Sequence, residues 1–216
     1  MEIYKPNTER LRLVYEVLDK TIKKDDANKM VVFLAMLLNY LGDQQMNIMM
    51  RGEPGIGKTY LTVNVAKLFP EEDMLPQGYT SATALLHLQT INEDGKEIID
   101  LERKIIIFLD QPNSDVLKNI RSLLSHDQKY IPISITEGKG KLKAEGKYLK
   151  GYPTVIFCSA DEEFDEQESS RFLAVSPESS EVKKHAALDF TVERNNGSYV
   201  KTSDEKSHPK EVRPKQ

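Results

Sequence analysis

Residues 52–59 read Gly-Glu-Pro-Gly-Ile-Gly-Lys-Thr, an instance of G-x-x-x-x-G-K-[ST]. No other feature limits what this chain can fold into as strongly. Glycines let the backbone curl tightly, so that successive amide N–H groups converge into an anion nest. Lys58 then reaches the β- and γ-phosphates of a bound nucleotide, and the Thr59 hydroxyl is a ligand for Mg2+. The flanks agree with this reading. An apolar run, Met46-Asn47-Ile48-Met49-Met50, comes before it, and Leu61, Val63, Val65, Ala66 and Leu68 follow at helical spacing. Strand, loop and helix N-terminus are the setting in which such a turn binds phosphate. The expected contacts are Gly52, Glu53, Pro54, Gly55, Ile56, Gly57, Lys58 and Thr59, with Tyr60 at the margin. Tyr60 has a second reading, packing against the sheet. An ordinary glycine-rich turn would leave Lys58-Thr59 at the helix start without explanation.

The 216 residues suffice for one α/β domain with appendages, and the net charge of −4 gives no global basic field. A nucleic-acid surface must therefore be local. Cys158 is the single cysteine, which excludes an internal disulfide and a cysteine-based zinc site. A reducing, cytoplasmic setting is the simplest expectation. The N-terminus lacks an apolar signal core, and the longest apolar run, Met30 to Leu38, is too short to span a bilayer. No membrane partner is expected, and the scattered histidines show no metal spacing.

Along the chain, residues 1–45 read as a helical segment packed on the core. Thr8 is a candidate cap for a first helix, and Asp25 or Asp26 for a second that ends near Gly42. The core spans 46–180. The helix after the loop stops at Phe69-Pro70. Thr80-Ser81 are placed to cap a short helix, and Asn92-Glu93-Asp94-Gly95 marks a turn between short strands. Lys104 to Leu109 is a continuous apolar strand, followed by a helix from Ser114 to Leu124. Residues 130–150 read as a β-hairpin, and 154–157 and 173–175 as further buried strands. Continuous apolar strands alternating with helices imply a mainly parallel, five-stranded sheet covered on both faces, with its ligand at the carboxyl ends. Residues 181–216 read as a polar tail or a truncated connection. Ser125-His126-Asp127 has no nucleophile placed beside it and reads as a helix end.

Strand 104–109 delivers Asp110 to the sheet edge, where a carboxylate can hold Mg2+. Many ATPases carry Glu at the next position, where it polarises the attacking water. Here that position is Gln111, which orients water but takes no proton at neutral pH. Three readings stay open. Hydrolysis is slow or absent, another carboxylate such as Glu53 or Glu168 acts, or Gln111 suffices by positioning. Real but slow hydrolysis is preferred.

Taken in order, loop 52–59, strand 104–109 with Asp110, strand 154–157 with Ser159, and then Arg171 resemble the AAA+ class of P-loop ATPases. The resemblance covers about residues 45–176. It implies a P-loop NTPase three-layer α/β sandwich that uses ATP and Mg2+. It makes Ser159, or its neighbour Cys158, a sensor of the γ-phosphate. It makes Arg171 a finger projecting into the next subunit's site, where a guanidinium stabilises phosphoryl charge. A surface salt bridge to Glu166 or Glu168 is the plainer role for Arg171. The catalytic set implied is Lys58, Asp110, Gln111, Ser159 and Arg171. The inserted β-hairpin at 130–150 resembles that of the helicase-like branch, which includes superfamily 3 and minichromosome maintenance helicases. There the hairpin points into a central channel and touches DNA. Its lysines here, Lys139, Lys141, Lys143 and Lys147, suit phosphate contact without sequence reading, or else keep a solvated hairpin from edge pairing.

The resemblance implies an ATP-driven motor for nucleic acid, a helicase or helicase loader in DNA replication. Its partners would be single-stranded DNA and further copies of itself, up to a hexameric ring. The alternatives are a protein-remodelling ATPase and a non-hydrolysing assembly switch. Gln111 departs from the class, and the class's C-terminal helical lid is not visible; Arg194 is given no sensor role.

Overall fold

A computed structural model of the chain describes residues 6–42, 44–75, 88–112, 114–133, 147–160 and 169–196. It divides into two compact units, residues 1–178 and 179–216.

In the first unit, a parallel sheet is built from β1 (Asn47–Arg51), β4 (Ile105–Phe108), β7 (Thr154–Ser159) and β8 (Phe172–Val175), in the order β4-β7-β1-β8. Alternation along each strand explains why their sequences read as unbroken apolar runs. Ile48, Met50, Ile105, Ile107, Ile156 and Cys158 face one side and Met49, Ile106, Phe108, Val155 and Phe157 the other. The first face is covered by α1 (Pro6–Thr21), α2 (Asp26–Leu38) and α3 (Lys58–Ala66), through Leu18, Ile22, Val32, Met36, Leu61 and Val65. Each such side chain, when fully buried, contributes roughly 1.5–3 kcal/mol. α1 begins at Pro6, whose fixed φ suits a first helical position, so Thr8, expected ahead of the helix, falls within it.

The second face meets α4 (Ser114–Leu124) and a second sheet of β2 (Ile91–Glu93), β3 (Lys96–Asp100), β5 (Tyr130–Ile133) and β6 (Lys147–Lys150). Its order is β2-β3-β6-β5. β2 and β3 form a hairpin through Asp94 and Gly95, both at positive φ, and β5 and β6 pair antiparallel as the stem of the 130–150 hairpin. β3 and β6 pair in parallel, which fastens the two hairpins into one sheet. Ile99 and Leu149 carry that sheet into the core beside Leu117, Ile120 and Leu123.

The expected five-stranded sheet is corrected to four strands. On the free edge of β4 there is one parallel bridge, Met74 to Ile105, with the Leu75 N–H donating to the Ile105 carbonyl at 3.0 Å. Pro70 and the 3-10 turn Glu71–Asp73 come just ahead of it, and the strand expected at 173–175 is present as β8. The helix expected after Thr80-Ser81 lies outside the described residues. No helix among the described residues is long and apolar enough to cross a membrane.

In the second unit, α5 (Glu181–Asn195) replaces part of the expected polar tail. Its start is fixed by Ser180, whose hydroxyl accepts from the Lys183 N–H at 3.2 Å. Arg194 lies in its last turn.

Candidate nucleotide-binding site

β1 ends at Arg51, and the chain then turns through Gly52 and Gly57 with φ of 135° and 93°. These are left-handed conformations that disfavour a side chain. A Cβ at Gly52 would also collide with the Ile56 side chain. Gly57 is the N-cap of α3 and has no side chain to satisfy the helix's first amides. Amides at a helix start are the groups that such a turn offers to an anion. Lys58, nine-tenths buried, reaches across the mouth of the turn, and its ammonium donates to the Gly52 carbonyl and, at 2.8 Å, to the Glu53 carbonyl. The charge is thereby held over the loop.

The tip of β7 joins the two sequence motifs. β7 lies between β1 and β4, and Met50 and Arg51 are level with Cys158 and Ser159. Cys158 faces α3, where the Thr59 hydroxyl lies 3.7 Å from its sulfur. Burial pushes the Cys158 thiol pKa up. The Thr59 hydrogen bond and the Lys58 charge oppose that rise, and the Asp110 charge adds to it. Lys58, Thr59 and Asp110 thus all act on one sulfur atom. Ser159, one residue on, points the other way and donates its hydroxyl to the Gln111 Oε1 at 2.6 Å. Sequence alone left open which of Cys158 and Ser159 meets which partner. Strand alternation divides them, one toward each motif.

Asp110 and Gln111 are exposed just beyond β4. The Thr59 hydroxyl and the Asp110 carboxylate are oxygen donors of the kind Mg2+ takes. Among the described residues no group of three His, Cys, Asp or Glu side chains could hold a metal by itself. Of the other carboxylates weighed, Glu53 is exposed on the loop and Glu168 lies outside the described residues.

Other expected site residues lie elsewhere. Arg171 precedes β8 at the amino end of the sheet, opposite the phosphate loop, and its Nε donates to the Ser125 hydroxyl at 2.6 Å. It takes no part in its own chain's loop. Tyr60 is 43 % exposed and donates to the Thr21 carbonyl at 2.9 Å, so it ties α3 to α1 and does not pack on the sheet. Lys147 is in the hairpin stem, 3.2 Å from Glu97 on the neighbouring strand. Lys139, Lys141 and Lys143 lie outside the described residues. His126 closes α4 at positive φ and packs on Tyr152 with ring centroids 4.7 Å apart, a structural corner.

A family model described as the MTBMA_p00010 P-loop domain matches residues 2–211. No curated protein matches the chain significantly.

Proposed function

Because the chain belongs to the MTBMA_p00010 P-loop domain family, we propose that it binds Mg-ATP at residues 52–59 and hydrolyses it slowly. In this reading it is an AAA+-like motor on nucleic acid, of the helicase or helicase-loader type that serves DNA replication. The observation that carries the reading is the junction at β7, where Thr59 meets Cys158 and Gln111 meets Ser159. Loop amides and the Lys58 ammonium hold the phosphates. The Thr59 hydroxyl and Asp110 carboxylate would hold a magnesium ion, whose charge would offset that of the phosphates. Gln111 orients water through its amide, without accepting a proton. Ser159 fixes the amide oxygen, so the amide hydrogens are left to face the reacting groups.

Arg171 lies at the edge of the sheet away from its own loop, which suits action on a neighbouring copy in a ring. The 130–150 insertion, with its lysine-rich segment, is the surface assigned to single-stranded DNA. A reducing cytoplasm suits the lone buried thiol.

Phosphate release with and without single-stranded DNA, for wild type and Lys58→Ala, tests the proposal. Release by wild type, raised by DNA and lost in the variant, is the expected result. Equal background rates for the two proteins would reject it. The use of the Gln111 oxygen by Ser159 favours one second reading, an assembly switch that binds without turnover. That reading predicts Mg-ATP-dependent oligomers with no phosphate released.

A further inference from the structure

Ser125 and Arg171 are far apart in the chain and meet at the amino ends of the strands. α4 starts at Ser114, soon after Gln111, and its 11 residues carry the chain roughly 16 Å back to that end of the sheet. The helix is closed tightly there. The Ser125 N–H donates to the Arg121 carbonyl at 3.0 Å, the Asp127 N–H to the Ser122 carbonyl at 2.9 Å, and His126 takes a φ of 56°. The Tyr152 hydroxyl donates to the His126 carbonyl at 3.3 Å, which pins the turn from the side. Ser125 therefore has a fixed place on the fold.

Asn47, the first residue of β1 and 4 % exposed, sets where Arg171 lies relative to it. The Asn47 Nδ2 donates to the Leu124 carbonyl at 3.3 Å and to the Arg171 carbonyl at 3.4 Å, and its Oδ1 accepts from the Val155 N–H at 3.0 Å. One buried amide thus joins the end of α4, the residue before β8 and the start of β7. Across this junction the half-buried Arg171 donates its Nε to the Ser125 hydroxyl at 2.6 Å. A bond at Nε fixes the plane of the guanidinium, and with it the direction of the two Nη groups. Ordering a long side chain costs entropy, and here the fold meets that cost in advance.

We propose that Ser125, placed by Asn47, is a positioning residue for Arg171, holding its guanidinium ready for the nucleotide phosphates of a neighbouring copy of this chain. The inference rests on the reading of Arg171 given above. The plainer role, a clasp between α4 and β8, would serve only the fold of the chain that carries it. The two roles differ in which chain feels the loss of the hydroxyl.

Mixing experiments on phosphate release test this. Arg171→Ala keeps the loop and lacks the guanidinium; Lys58→Ala keeps the guanidinium and lacks the loop ammonium. Each alone should be nearly inactive, because an arginine supplied by a neighbour raises phosphoryl transfer about 10³–10⁵-fold. Mixed in the presence of Mg-ATP, the two should recover release at least about tenfold above their sum. Ser125→Ala added to the Lys58→Ala chain, which supplies Arg171, should remove most of that recovery, and Ser125→Thr in the same chain should keep it. Ser125→Ala added to the Arg171→Ala chain should change nothing. As a single substitution, Ser125→Ala should lower kcat at least about tenfold with KM for ATP unchanged. Should Ser125→Ala fold poorly, Ser125→Cys, similar in size but a weak acceptor, carries the same test. Recovery as strong with Ser125→Ala as with serine would overturn the proposal. So would a recovery lost equally whichever chain carries the change, which is the mark of a clasp. A wild type that releases no phosphate, or serine-bearing chains whose mixture recovers nothing, would sink the reading of the site itself and this inference with it.

Discussion

The Ser159 hydroxyl donates to the Gln111 side-chain oxygen at 2.6 Å, joining the tip of β7 to the residue after Asp110. A carboxylate at position 111 would keep that hydrogen bond and add a proton acceptor. Gln111→Glu should therefore raise steady-state phosphate release at least about tenfold, since a positioned general base contributes about 10²–10⁴-fold. Ser159→Ala should lower release about tenfold, by the same scale, and leave calorimetric Mg-ATP affinity unchanged. An unaltered rate in Gln111→Glu would show that chemistry is not limited by this side chain.

Lys58 and Thr59 should separate by their metal dependence. Lys58→Met removes the ammonium held over the turn by the Gly52 and Glu53 carbonyls. Charge-assisted hydrogen bonds contribute about 1.5–3 kcal/mol each, so nucleotide affinity should fall at least about a hundredfold with or without Mg2+. Thr59→Val removes a proposed metal ligand and spares the ammonium. Its affinity for nucleotide without Mg2+ should match wild type, and the gain on adding Mg2+ should vanish. Titrations with and without EDTA read both effects.

The local motifs were legible in the sequence because each is set by contiguous residues. The glycines and Lys58-Thr59 fixed the turn, and unbroken apolar runs marked β1, β4 and β7 as strands buried on both faces. What escaped was long-range. The parallel pairing of β3 with β6 joins Glu97 to Lys147 across about fifty residues, and nothing local in either strand names its partner. The strand read as the fifth, 173–175, is present as β8; the count of five is not met because four strands make up the parallel sheet among the described residues, and the strands of the 130–150 hairpin belong to the second sheet. α5 escaped because Val182, Leu188 and Val192 are scattered among charged residues, and its strongest signal is the Ser180 cap.

Gly151 is a test of the joint between the two sheets. Its φ is +94°, and a Cβ there would lie 2.6 Å from the Glu102 nitrogen and 2.8 Å from the Glu102 Cα. Both are backbone atoms that cannot swing aside. They are held in place because the Leu101 N–H donates to the Lys150 carbonyl at 2.7 Å, and the Gly151 N–H to the Lys129 carbonyl at 2.9 Å. Gly151→Ala combines an unfavourable φ with a backbone clash, and should cost about 3 kcal/mol in urea unfolding. Gly95→Ala has a similar φ of +76° but open space around the Cβ, so it should cost only about 1 kcal/mol.

The buried ammonium of Lys29 gives stability a defined pH dependence. Lys29 is fully buried, 2.8 Å from Asp19 and 3.0 Å from Asp26, with the Tyr15 ring centroid 4.2 Å away. The two acids are 45 % and 60 % exposed. Removing them therefore strands a buried charge, whereas removing the lysine leaves carboxylates that water can reach. Asp19→Asn with Asp26→Asn should cost about 3 kcal/mol, and Lys29→Met about 1 kcal/mol or less. The hydrogen bond from Lys29 lowers the Asp26 pKa, against the effect of burial. Asp26 thus stabilises the fold above the ordinary aspartate pKa, and that contribution disappears as pH falls through the lowered value. Burial pulls the Lys29 pKa down, but the hydrogen bonds to Asp19 and Asp26 outweigh it and the net shift is upward. Its contribution is complete below the ordinary lysine pKa and is lost as pH rises through the raised value. Urea midpoints should therefore be flat with respect to this cluster between about pH 4 and about pH 10 and fall outside that window. Lys29→Met should flatten both flanks, and flanks as steep as those of wild type would assign the pH dependence to other groups.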